Sequence, residues 1–113
     1  MTVTINEHRL HIAVLTLSGR LDAFNSPDIR QHCDQLAADD AIYGVVFDLT
    51  AVTFLDSAGM AVIVNLWKTM RAKGGNVVLV LPEDEDATRI LQLTKFDRVF
   101  ATAPTVQDAL SHL

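Results

Sequence analysis

The stretch VVFDLTAVTFLDSAGMAVIVNLWKTM, Val45 to Met70, decides the fold. Val45-Val46-Phe47 opens it with the apolar run of a fully buried strand. A short connection leads to Asp56-Ser57-Ala58-Gly59, and an apolar pattern of helical period follows at once. At about 100° per residue, Val62, Leu66, Met70, Ile63, Trp67, Met60 and Val64 fall on one wide arc. Asn65, Lys68, Thr69 and Ala72 fall opposite. The spacing predicts a helix from about Ser57 to Lys73, stopped by Gly74-Gly75, because glycine accepts the left-handed cap conformation. Asn76 to Leu81 (NVVLVL) is then a second buried strand. Strand, helix and strand make one right-handed crossover unit, so the two strands run parallel. In an open parallel sheet, ligands and partners are met at the carboxyl ends of the strands. A helix N-terminus there offers free backbone N–H groups and a positive dipole end. A hydroxyl at that place is well set to carry a phosphate.

Upstream, Thr2 to Asn6 alternates, with Val3 and Ile5 on one face, as in a half-buried edge strand. Glu7-His8-Arg9 makes a turn, and Ile12 to Leu17 (IAVLTL) returns antiparallel. Arg20 to Asn25 (RLDAFN) reads as a loop. Ser26-Pro27-Asp28 is a helix start, with Ser26 as cap, proline at the first position and acid at the dipole. Ile29, Cys33, Leu36 and Ala37 recur at helical spacing until Asp39-Asp40. Tyr43 to Leu49 is the central strand. Downstream, Pro82 to Asp86 opens a third helix with the inner stripe Ala87, Ile90, Leu91 and Thr94. Phe96 closes the core, Val99-Phe100 is a short last strand, and Thr105 caps a final helix carrying Val106, Ala109, Leu110 and Leu113. The expectation is one α/β domain with about five strands in a mixed sheet and four helices.

Composition sets the outer bounds. The 113 residues are half apolar and a fifth charged, with net charge −5, which suits a soluble domain with one core. The absence of a Lys/Arg cluster argues against nucleic acid. One cysteine, Cys33, excludes an internal disulfide and any multi-cysteine metal site, and its place on the inner helical stripe makes it core. His8, His11, His32 and His112 are scattered without metal-ligand spacing. No apolar run approaches a membrane span and MTVTINEHRL has no signal layout, so the chain reads as cytoplasmic, with no membrane partner. No Gly-x-Ser-x-Gly elbow or Gly-x-x-x-x-Gly-Lys loop occurs, so neither a catalytic triad nor a nucleotide cofactor is indicated.

Asp56-Ser57-Ala58-Gly59 has two readings. Asp and Ser are good helix caps and small residues ease a tight turn, so the motif can be a cap and nothing more. It can also present Ser57 as a switch serine. A phosphate there adds about −1.5 to −2 charges and meets free N–H donors, so it changes the surface without unfolding the domain.

Phe54-Leu55-Asp56-Ser57-Ala58-Gly59-Met60-Ala61 resembles the switch motif of STAS domains, in particular the bacterial anti-sigma factor antagonists. Gly19-Arg20-Leu21-Asp22-Ala23-Phe24-Asn25 is similar to the Gly-x-Leu/Ile-Asp loop of the same family, and Gly74-Gly75 before a Val-rich strand is a third match. The resemblance spans the whole chain, as one STAS domain over 1–113, and carries expectations residue by residue. Ser57 matches the serine phosphorylated by a partner anti-sigma factor that is itself a serine kinase. Asp56 matches the acid beside it, Gly59 and Met60 the helix start that touches the partner, and Asp22 and Asn25 the loop beside the serine. Ala58 departs from the Ser or Thr of many members and removes an alternative acceptor. The resemblance implies a binding module rather than an enzyme. By that resemblance, unphosphorylated protein would hold the kinase and release a sigma factor, phosphorylated protein would let go, and a phosphoserine phosphatase would reset the switch. Small free-standing STAS proteins also serve transport systems by docking on an ATPase without phosphorylation. That alternative stands beside the first. An enzyme or nucleotide-binding protein on a flavodoxin-like sheet is a third, disfavoured by the lack of an acid–base pair or phosphate loop.

Overall fold

The computed structural model describes residues 2–8 and 11–113. Its elements are β1 (Thr2–His8), β2 (Ile12–Leu21), α1 (Ser26–Ala38), β3 (Gly44–Leu55), α2 (Ser57–Ala72), β4 (Asn76–Val80), α3 (Glu85–Leu93), α4 (Phe96–Val99), β5 (Ala101–Ala103) and α5 (Val106–Ser111). One five-stranded sheet follows chain order, β1-β2-β3-β4-β5. β1 is antiparallel to β2, and the remaining pairs are parallel.

This order explains the layers. Sequential right-handed crossovers put their connecting helices on one face. Ala13, Leu15 and Leu17 of β2 and Val45, Phe47 and Leu49 of β3 point to that face. They pack with Ile29, Cys33 and Leu36 of α1, Val62, Ile63, Leu66 and Met70 of α2, and Ala87 and Leu91 of α3. The alternate residues Ile12, Val14, Val46, Val78 and Val80 face the other way, under Ala109 of α5. Both faces of β3 are covered, hence its near-continuous apolar character, interrupted by the buried Asp48. Burial pushes the Cys33 thiol up to about 12, with the Asp34 charge adding to the rise and Arg30 opposing it. It is a core residue held as the thiol.

Several boundaries differ from the sequence expectations. β1 continues to His8, so Glu7 and His8 belong to the strand, and Arg9 lies outside the described residues. Arg20 and Leu21 are the end of β2, and residues 50–55 are the end of β3. Ser26 does not cap α1. Asn25 is its N-cap residue, without a side-chain cap bond, and Ser26 follows as the first helical residue. Pro82 precedes α3, which starts at Glu85 under an Asp84 cap. Thr94 is exposed, its hydroxyl donating to the Ile90 carbonyl at 2.7 Å. Val99-Phe100 is not the last strand. Phe96–Val99 coils into a helical turn entered through Lys95 at φ 61°, and the strand follows at Ala101–Ala103. That turn, α4, is the helix beyond the four that the sequence leads one to expect. It packs Phe96 against Phe100 and Phe100 against Trp67 in tilted pairs, with ring centroids 5.1 and 5.2 Å apart.

The ladder lengths matter most for function. β4 pairs with β3 only from Gly44 to Asp48. β2 pairs with it as far as Leu21 opposite Leu55. Beyond the end of β4 and the Thr2–Ser18 pair of β1, β2 and β3 therefore continue as a two-stranded parallel extension; their ladder shifts register between Thr16 and Ser18 and between Gly19 and Arg20.

Candidate functional site

The parallel extension delivers two loops to one place. Because Leu21 lies opposite Leu55, the residues after each strand, Asp22 and Asp56, emerge side by side. The Asp56 amide donates to the Leu21 carbonyl at 3.3 Å. One carboxylate oxygen of Asp56 accepts from the Gly59 amide at 2.9 Å and caps α2. The other accepts from the Ala23 amide at 3.0 Å, 33 residues back in the chain. Asp56 is both a helix cap and a bolt between the loops. The Gly59 hydrogen bond is the largest cause of a lowered Asp56 pKa. Partial burial pushes the other way, while the Ala23 and Ala58 amides and the Arg20 charge add to the lowering.

Asp22 and Asn25 build the facing loop. Asp22 Oδ1 accepts from the amides of Phe24 and Asn25 at 3.1 and 3.3 Å. Asn25 Oδ1 accepts from the Asp22 amide at 2.9 Å, and its Nδ2 donates to the Arg20 carbonyl at 2.6 Å. Arg20 lies 4.0 Å over the Phe54 ring and pairs with Asp22 at 3.2 Å. Arg20 has the local sequence of a loop residue but lies at the end of β2. Its position opposite Phe54 needs the strand register, which residue spacing alone does not display.

Ser57 is the first residue of α2 and is exposed. Capping is done by Asp56, so the cap reading of the motif is satisfied without the serine. Among the described residues, no protein group hydrogen-bonds the Ser57 hydroxyl. The first turn of α2 holds no acidic residue, leaving its positive dipole end unneutralised apart from the cap. Ala58 and Met60 are half-buried. Gly59 is buried, and a Cβ there would fall 2.3 Å from the Leu21 carbonyl oxygen. Glycine at this position lets the helix start sit on the end of β2.

Beside Ser57 lies a shallow depression of about 350 Å³, lined by Met60, Ala61, Val64, Asn65 and Phe96 together with the serine itself. It forms because the α4 turn carries Phe96 toward α2, which the strand expected at Val99-Phe100 does not imply. In the Asp22 loop, Phe24 stands 94 % exposed. Among the described residues, no group of three or more His, Cys, Asp or Glu is placed to hold a metal ion. No helix among them is long and apolar enough to cross a membrane.

An α/β sheet with one antiparallel edge strand, and an Asp-Ser helix start bolted to a Gly-x-Leu-Asp loop, together define a STAS-type domain. The STAS domain family model matches residues 4–109, and the chain belongs to that family. The anti-sigma-F factor antagonist RsfB of Mycobacterium tuberculosis is 30% identical over 112 residues, covering 98% of this chain and 88% of RsfB. The crystal structure of an anti-sigma factor antagonist from Mycobacterium paratuberculosis superposes with a TM-score of 0.85 at 28% identity, over 98% of this chain and 92% of that one. The Bacillus cell fate determinant SpoIIAA, solved in its phosphorylated form, shares the fold with a TM-score of 0.76 at 18% identity over 98% of each chain.

Proposed function

We propose that this chain is an anti-sigma factor antagonist switched by phosphorylation of Ser57. Unphosphorylated, it binds a serine-kinase anti-sigma factor in the cytoplasm and so frees a sigma factor. Phosphorylated, it releases the kinase, and a phosphoserine phosphatase restores it. Asp22, Asn25, Asp56, Ala58, Gly59 and Met60 build the docking surface around the serine.

The observation that carries this reading is that Ser57 is exposed and structurally unemployed at a helix start whose cap, Asp56, joins both motif loops. The naming of relatives as anti-sigma factor antagonists supports the class. The existence of a phosphorylated protein of this fold supports the chemistry. A phosphate on Ser57 is tolerated by the free chain, because it faces the amide end of α2 in water. It is not tolerated under a partner, which must desolvate a dianion beside Met60 and the apolar depression. A 100- to 1000-fold loss of affinity corresponds to about 2.7–4.1 kcal/mol, within reach of one unpaired buried charge.

The test is titration of the wild-type chain, Ser57→Ala and Ser57→Glu against each purified anti-sigma factor of the same genome. Wild type and Ser57→Ala are expected to bind one of them alike and Ser57→Glu to bind at least tenfold more weakly. Equal binding by all three rules out the switch. Binding to a transporter ATPase instead, with no phosphate on Ser57, assigns the chain to the transport alternative.

A further inference from the structure

Phe24 is the most exposed large apolar side chain among the described residues, at 94 %. A single exposed hydrophobe on a mobile loop needs no explanation. Phe24 sits on a different kind of loop. Its own amide is held by Asp22 Oδ1. The preceding amide, of Ala23, is held by Asp56 and the following one, of Asn25, by Asp22. The Ser26 amide donates to the Asp22 carbonyl at 2.8 Å, and Asn25 ties the loop to the Arg20 carbonyl. Backbone is therefore fixed on both sides of a ring that touches little of its own protein. Fixing a chain segment before binding removes a large ordering cost from the association. Rigid aromatic side chains presented this way are the kind that dominate interface energies.

Location adds the second argument. Phe24 follows the residue whose amide binds Asp56, and Ser57 follows Asp56. The loop that carries the ring and the helix start that carries the serine are thus joined by one hydrogen bond, from the Ala23 amide to Asp56, and both residues are exposed.

Building on the function proposed above, we propose that Phe24 is the aromatic anchor of the partner interface, entering an apolar socket on the anti-sigma factor next to the Ser57 contact. The socket closes on the ring only when the serine surface can approach as well. A phosphate on Ser57 holds the two surfaces apart, so it costs the complex the anchor in addition to the serine contact.

The experiment titrates wild type, Phe24→Ala and Phe24→Leu against each purified anti-sigma factor of the same genome, with thermal melts of the free proteins. For the factor that wild type binds, Phe24→Ala is expected to bind 30- to 100-fold more weakly and Phe24→Leu to recover part of the loss. All three should melt at the same temperature, because the ring packs against little in the free chain. Phe24→Ala binding within twofold of wild type overturns the anchor while leaving the proposed function standing. Wild type binding none of the factors overturns the proposed function, and the anchor with it. A wild-type dimer in sedimentation that Phe24→Ala dissolves shows the ring meeting a second copy, and also overturns the proposal.

Discussion

The starts of α2 and α3 make an instructive pair. Both follow a parallel strand, and both are capped by an aspartate, Asp56 and Asp84. The Asp84 side chain serves only its own helix, accepting from the amides of Asp86 and Ala87 at 2.9 and 3.0 Å. Asp56 also reaches across to Ala23. The first turn of α3 already carries Glu85 and Asp86, whereas that of α2 carries no acid. One helix start is thus electrostatically complete and local. The other is bolted to a second loop and leaves its positive end open beside a free hydroxyl. Two starts with the same cap chemistry differ in what a phosphate would find there.

The comparison breaks most visibly at Gly59. Gly59→Val must push the helix start off the Leu21 carbonyl, and a loss of about 3 kcal/mol is expected in urea unfolding. Next comes the bolt. Asp56→Ala removes a cap and a cross-loop bond and is expected to cost about 2 kcal/mol, against about 1 kcal/mol for Asp84→Ala. Equal losses would mean that the Ala23 contact adds nothing. Acid sharpens the same contrast. Asp56 has a folded-state pKa below its unfolded value of about 3.9. Its stabilisation is complete above that value and is lost as pH falls through the lower folded pKa. The stability gap between wild type and Asp56→Asn should therefore hold at neutral pH and close in strong acid. A gap that widens below pH 4 contradicts the assignment.

The smallest effect expected is from charge at the open helix end. Ser57→Glu should leave the free chain as stable as wild type or up to about 0.5 kcal/mol more stable, because it places an anion at the positive end of α2. A clear destabilisation of the free protein would remove the argument that phosphate acts only on the partner.

The crossover unit from β3 through α2 to β4 is legible because its signals are local: the apolar run Val45-Val46-Phe47, a helical stripe of 3.6 period, a cap and two glycines. The same holds for Ser57 at a helix start. The site as a constellation was less legible. Arg20 and Leu21 have no strand signature of their own, being ordered by pairing with Phe54 and Leu55. That pairing, fixed by strand register, is what brings Asp22 to Asp56. The exposure of Phe24 is not legible in sequence, because an aromatic in a loop has no period to mark which way it faces. The misplaced last strand has a related cause. Phe96, Val99 and Phe100 are apolar enough for a strand, but residues 96–99 form a helical turn in which Phe96 packs on Phe100 and Phe100 on Trp67. That choice shapes the depression beside Ser57.

The most direct measurement incubates the complex of this chain and its anti-sigma factor with ATP, then follows intact mass and complex dissociation together. The account predicts one added phosphate, mapped to Ser57, with release of the chain at the same rate as the mass changes, and neither event in Ser57→Ala. A chain that stays bound while carrying the Ser57 phosphate, or one that leaves without it, would contradict the account at its centre.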